Sequence, residues 1–101
     1  MGIDTQICKL DNQFNAAYDA GDFDMAEKIN DQRYEAVYTL HGQAIEKRIR
    51  ILEDKTLSGR IFRQYRLEEI ECDIEMFRSL LKTYLSHGVE IANDKTHKEE
   101  A

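Results

Sequence analysis

Three histidines, two cysteines and one dense run of carboxylates are the side chains here that could bind a metal, exchange thiols or move protons, and their spacing tests each possibility. His41, His87 and His97 fall on three separate parts of the chain, and only Asp94 stands three residues before a histidine. The Glu-x-x-His motif of a di-iron bundle site is therefore missing, as are the HExxH, P-loop, Gly-x-Gly-x-x-Gly and Gly-x-Ser-x-Gly patterns. Cys8 and Cys72 belong to no CxxC or Cys/His ligand spacing, and the general burial tendency of a free thiol predicts that both are reduced and partly buried. The run EEIECDIE at 68–75 holds five carboxylates in eight residues, but on a helix these spread around the outward half instead of converging on an ion. It reads as a solvated face. The expectation is a chain with no catalytic residues, no metal and no cofactor.

The feature that composition does not explain is KRIRILEDKTLSGRIFRQYR, residues 47–66. It holds seven of the 14 lysines and arginines (Lys47, Arg48, Arg50, Lys55, Arg60, Arg63 and Arg66) against two acidic residues, in a chain of formal net charge −6. Counting lysines and arginines against carboxylates gives −6 for residues 1–46, +5 for 47–66 and −5 for 67–101. Cations at 47–50 suit a helix C-terminus, whereas Arg60 and Arg63 at a helix start oppose the helix dipole. Three roles compete for them: binding an acidic surface of another protein, pairing with the acidic end of a second copy of this chain, or contacting a nucleic-acid backbone. The acidic balance of the whole chain disfavours the last. Phe62 and Tyr65 could stack on bases, but they fall on a face expected to be core.

The elements that must position these charges follow from periodicity and breakers. A chain of 101 residues with 42% hydrophobic and 34% charged residues, no proline and five glycines has the composition of one all-α domain. Ile3, Ile7, Leu10, Phe14 and Ala17 line one stripe and predict a first helix over 4–19, closed by Gly21 and followed by a cap at Asp22 or Asp24, the latter with Glu27 as a capping box. A second helix is predicted over 22–54 with two apolar stripes: Ala26, Ile29, Val37, Leu40, Ala44 and Ile51, and beside it Tyr34, Tyr38, Ile45, Ile49 and Leu52. His41 and Gly42 in its middle leave a kink, a break or a close approach open. DKTLSG at 54–59 signals a turn, with Thr56 or Ser58 as a cap. A third helix over 58–87 carries Leu67, Ile70, Ile74, Phe77, Leu81 and Tyr84 in heptad spacing, widened by Phe62, Tyr65, Cys72, Met76 and Leu80. His87 and Gly88 predict its end, and 89–101 a polar, mobile tail beyond a domain at 1–88.

Folded as an antiparallel hairpin, the second and third helices bring Val37, Leu40 and Ala44 against Phe77, Ile74 and Ile70, with Leu81 and Tyr84 continuing the core. A second apolar stripe then remains on each long helix, and a first helix of ~24 Å is too short to cover it. A homodimeric helical bundle follows as the expected assembly. The order of short helix, glycine turn and long helical hairpin resembles in outline the small bacterial secretion and flagellar chaperones. No apolar run reaches the ~20 residues of a membrane span and the first residues lack the form of a secretion signal, so a cytoplasmic protein without a membrane partner is expected. The function expected is that of an adaptor, chaperone or inhibitor that binds another protein through the basic hairpin tip.

Overall fold

A computed structural model of the chain describes residues 3–54 and 60–100, with the side chains of 5–54 and 62–96. The described residues form three helices and no strand: α1 Ile3–Asp19, α2 Phe23–Glu53 and α3 Arg60–Glu100. Lys55, the expected caps Thr56 and Ser58, and the turn at 55–59 lie outside the described residues, as does the side chain of Arg60.

The α1–α2 corner forms where the sequence predicts it. Gly21 has a φ of 77°, the left-handed conformation that glycine adopts without a Cβ penalty. The amide of Gly21 donates to the carbonyl of Tyr18 and that of Asp22 to the carbonyl of Ala17, the paired bonds of a Schellman closure. Asp22 then caps α2, its Oδ1 accepting from the Met25 amide at 3.2 Å. Asp24 is one residue inside the helix, so the alternative capping box with Glu27 is not used. No break occurs at His41–Gly42, where α2 remains continuous.

The end of α3 corrects the expectation. The helix runs past the end expected at His87 and Gly88 and continues to Glu100. Ile91 is fully buried, and a Cβ added at Gly88 would meet Asn30 of α2 at 3.6 Å. The heptad Leu81, Tyr84, Gly88, Ile91, Lys95 continues unbroken, and the packing of α2 and α1 on this segment outweighs the roughly 1 kcal/mol cost of a helical glycine.

Among the described residues three apolar clusters run along the 64 Å molecule. Near the tip Ala44, Ile51, Ile70 and Ile74 pack with Leu67 and Phe77; in the middle Val37, Leu81 and Tyr84 pack with Ile7 and Phe77; at the far end Phe14, Ala26, Ile29 and Ile91 pack with Leu10 and Tyr18. Of the expected core, Val37, Ala44, Ile70, Ile74, Leu81 and Tyr84 are buried, and Leu40 and Phe77 are half-buried. Phe62, Tyr65, Cys72 and Met76 are exposed instead of widening that core. For Phe62, Tyr65 and Met76 the reason is the length of α1: 17 residues span about 25 Å, and its first packed side chain, Ile7, reaches no further than Val37 and Leu81, while Cys72 lines a groove between α2 and α3.

Candidate functional site

Between the middle and far clusters lies a buried polar centre. Arg33 is 3% exposed and reaches all three helices. Its Nη1 donates to Asp11 Oδ1 of α1 at 3.0 Å, and its Nη2 to Asn30 Oδ1 at 2.6 Å. The same Nη2 lies 3.0 Å from Nδ1 of His87. A guanidinium can only donate, so Nδ1 accepts and the ring proton resides on Nε2. The guanidinium also sits 3.9 Å from the centroid of Phe14 and 4.5 Å from that of Tyr84, while Phe14 stacks on the His87 ring at 5.3 Å. Asn30 completes the centre by donating to the Tyr84 carbonyl at 2.8 Å. His87, expected as an end cap, is thus an interior contact of α3.

Polar ties close the far end. Tyr18 donates to Asp94 at 2.6 Å, and this bond, helped by burial and by the charges of Asp94 and Glu90, raises its phenol above the ordinary 10.0. Lys95 meets Asp24 at 2.7 Å and Glu27 at 2.8 Å, and its hydrogen bonds to both hold the ammonium well above its ordinary 10.5. Burial, then the charge of Asp11, raises Tyr84 as well, with Arg33 opposing. This centre and these ties hold α1 on one face of the hairpin.

The opposite face is open. At ~100° per residue, Met25, Ile29, Gln32 and Ala36, which line the α1 side, fall on one side of α2, and Tyr38, Ile45, Ile49 and Leu52 on the other. These four are between 37% and 60% exposed, whereas Tyr34, expected in the same stripe, is half-buried against the middle cluster and stacks on Tyr38 at 6.1 Å. On α3 the same face carries Leu85 and Val89, also exposed, and Arg78. Toward the tip it opens into a groove of about 760 Å³ whose walls include Ile45, Arg48, Glu68, Glu71, Ile74 and Arg78. Arg48 crosses the hairpin to Glu71 at 3.2 Å. Three of the five carboxylates at 68–75 therefore face this groove (Glu68, Glu71 and Glu75), while Glu69 and Asp73 line a small cleft on the other side with Lys47 and Arg66.

The basic tip is partly spent within the chain. Arg63 donates to the backbone carbonyl of Asp54 at 3.0 Å, so a cation that opposes the dipole of α3 satisfies the C-terminus of α2. Arg48 is engaged by Glu71, and Arg50 lies 3.7 Å from Glu46 with both side chains largely in solvent. Lys47 and Arg66 line their cleft without an ion pair among the described residues. Arg33 and Asn30 are not among the residues expected to be functional, although the sequence carries a signal: in the stripe Ala26, Ile29, Val37 they fill the eight-residue gap at heptad positions, as polar residues where apolar ones belong.

Cys8 and Cys72 are free and exposed, not partly buried as expected. Among the described residues no cluster of His, Cys, Asp and Glu could hold a metal ion, and no helix is long and apolar enough to cross a membrane. The chain matches no protein-family model, no curated protein and no solved structure.

Proposed function

We propose that this chain is a non-catalytic helical interaction module: it associates with a second copy through the open face of the hairpin and holds an acidic surface of another protein at its basic tip. The observation that carries the reading is the exposed stripe Tyr38, Ile45, Ile49 and Leu52 opposite the face that α1 covers. Two helices side by side, each ~10 Å across and about 46 Å long for the 31 residues of α2, present on the order of 900 Å². That is near the ~800 Å² per partner of a stable interface. The charge in the groove favours a second copy over a foreign apolar helix, since arginine and glutamate both stand in it and can answer each other across a symmetric contact.

The second half of the reading rests on Lys47, Arg50 and Arg66, the described tip cations that close no helix end and reach across to no other helix. Arg63 leaves the set, because its bond to Asp54 gives it work within the fold. Affinity capture from native lysate followed by mass spectrometry tests this half, comparing the wild type with the triple variant Lys47→Glu, Arg50→Glu, Arg66→Glu. The expected result is an acidic protein held by the wild type and lost by the variant, with the oligomeric state of the two unchanged. Identical captured proteins would remove the tip from the function.

A further inference from the structure

Resting on the self-association just proposed, we infer that the second copy docks antiparallel across the open face, about a two-fold axis that runs across the hairpin at the level of Ile45 on α2 and of Asp73 on α3. The apolar stripe supplies the first half of the argument. On α2, Tyr38 and Leu52 are the outer members and Ile45 lies seven residues from each, so a two-fold at Ile45 sets Tyr38 against the partner's Leu52 and Ile45 against the partner's Ile45. The charges supply the second half independently. On α3, Glu68 and Arg78 both line the groove and stand five residues either side of Asp73. A two-fold at Asp73 places Glu68 against the partner's Arg78, and the reverse contact follows by symmetry.

These two midpoints need not have coincided, and they do. Arg48, three residues from Ile45 toward the tip, is paired with Glu71, two residues from Asp73 toward the tip. The α2 and α3 midpoints therefore lie at about the same level of the hairpin, as the packing of Ala44 with Ile70 and Ile74 also requires, and one axis serves both. Glu71 falls opposite the partner's Glu75, but its charge is already met by Arg48 within its own chain. Arg78 forms no ion pair among the described residues, and its side chain is exposed in the groove.

The alternative symmetric docking, with the axis along the hairpin, keeps both tips at one end. It would bring together two segments that each hold seven cations against two anions. Repulsion between them disfavours that arrangement. The antiparallel pair separates the tips, leaving each free at an opposite end of the assembly.

A charge-swap series read by sedimentation tests the register. Glu68→Arg and Arg78→Glu each turn an attraction that occurs twice per dimer into a repulsion, so each should weaken the dimer roughly tenfold. The double variant Glu68→Arg, Arg78→Glu should restore wild-type affinity, and equal helical content by circular dichroism confirms that all four proteins are folded. A wild-type dimer unaffected by either single change, or weakened by both without rescue, would overturn the axis while leaving self-association in place. A wild type that stays monomeric would overturn self-association itself.

Discussion

Arg33 does at residue scale what no apolar side chain in its place could do: it ties α1, α2 and α3 with bonds of fixed direction. Apolar clusters tolerate sliding by a turn, whereas the guanidinium fork fits Asp11, Asn30 and His87 in one arrangement only. Replacing it by alanine leaves Asn30 and His87 without a buried donor and removes the cation from between Phe14 and Tyr84. Arg33→Ala is expected to cost about 3 kcal/mol, by analogy with other broken buried charge networks. Arg33→Lys should cost nearly as much, because an ammonium cannot span the same three acceptors. Urea unfolding followed by circular dichroism measures both, and midpoints equal to the wild type would show that the clusters alone hold the helices. The sequence carries this centre only as an absence, two polar residues at heptad positions; nothing local says which partners they find, since Asp11 and His87 come from other helices.

At the scale of elements, what was legible is what repeats or breaks locally. The left-handed Gly21, the cap at Asp22, the continuous stripe of α2 and the core heptad of α3 follow from spacing and turn chemistry. The reach of α3 is not legible locally, because His87 and Gly88 look like a helix end when read alone. Tertiary contact decides otherwise, through Ile91 in the far cluster and through Asp94 and Lys95 tied to α1 and α2. Those ties, together with the buried Tyr84 of the middle cluster, make the fold sensitive to alkali. The pKa values of Tyr18, Tyr84 and Lys95 are all raised on folding, so the folded chain holds these protons more tightly than the unfolded chain. Their contribution is fully present below the ordinary values of 10.0 and 10.5 and is lost as pH rises through the higher folded values. Thermal melting should therefore show a Tm that is level up to about pH 9.5 and falls beyond it. The fall should be shallower in the double variant Tyr18→Phe, Tyr84→Phe. A Tm that rose through the same range would contradict the assignment.

For the whole molecule, one face is finished and one is not. α1 covers half of one face, held by the Arg33 centre, and the other face presents an apolar stripe with matched charges on either side of its middle. The sequence showed that stripe and its lack of a partner, because two stripes on one helix demand two neighbours. It did not show which flank α1 would take, nor that Arg63 would close α2 at Asp54, since both depend on how the helices rotate against one another. The open face calls for the symmetric pairing proposed above. Sedimentation equilibrium of the wild type beside Ile45→Glu measures it most directly. The wild type should sediment at twice the chain mass of 11.8 kDa at micromolar concentration, and the variant, folded but charged at the axis, at the single mass. A wild type that remains at the mass of one chain at about 100 μM, some 5.5 kcal/mol of association or less, would contradict it.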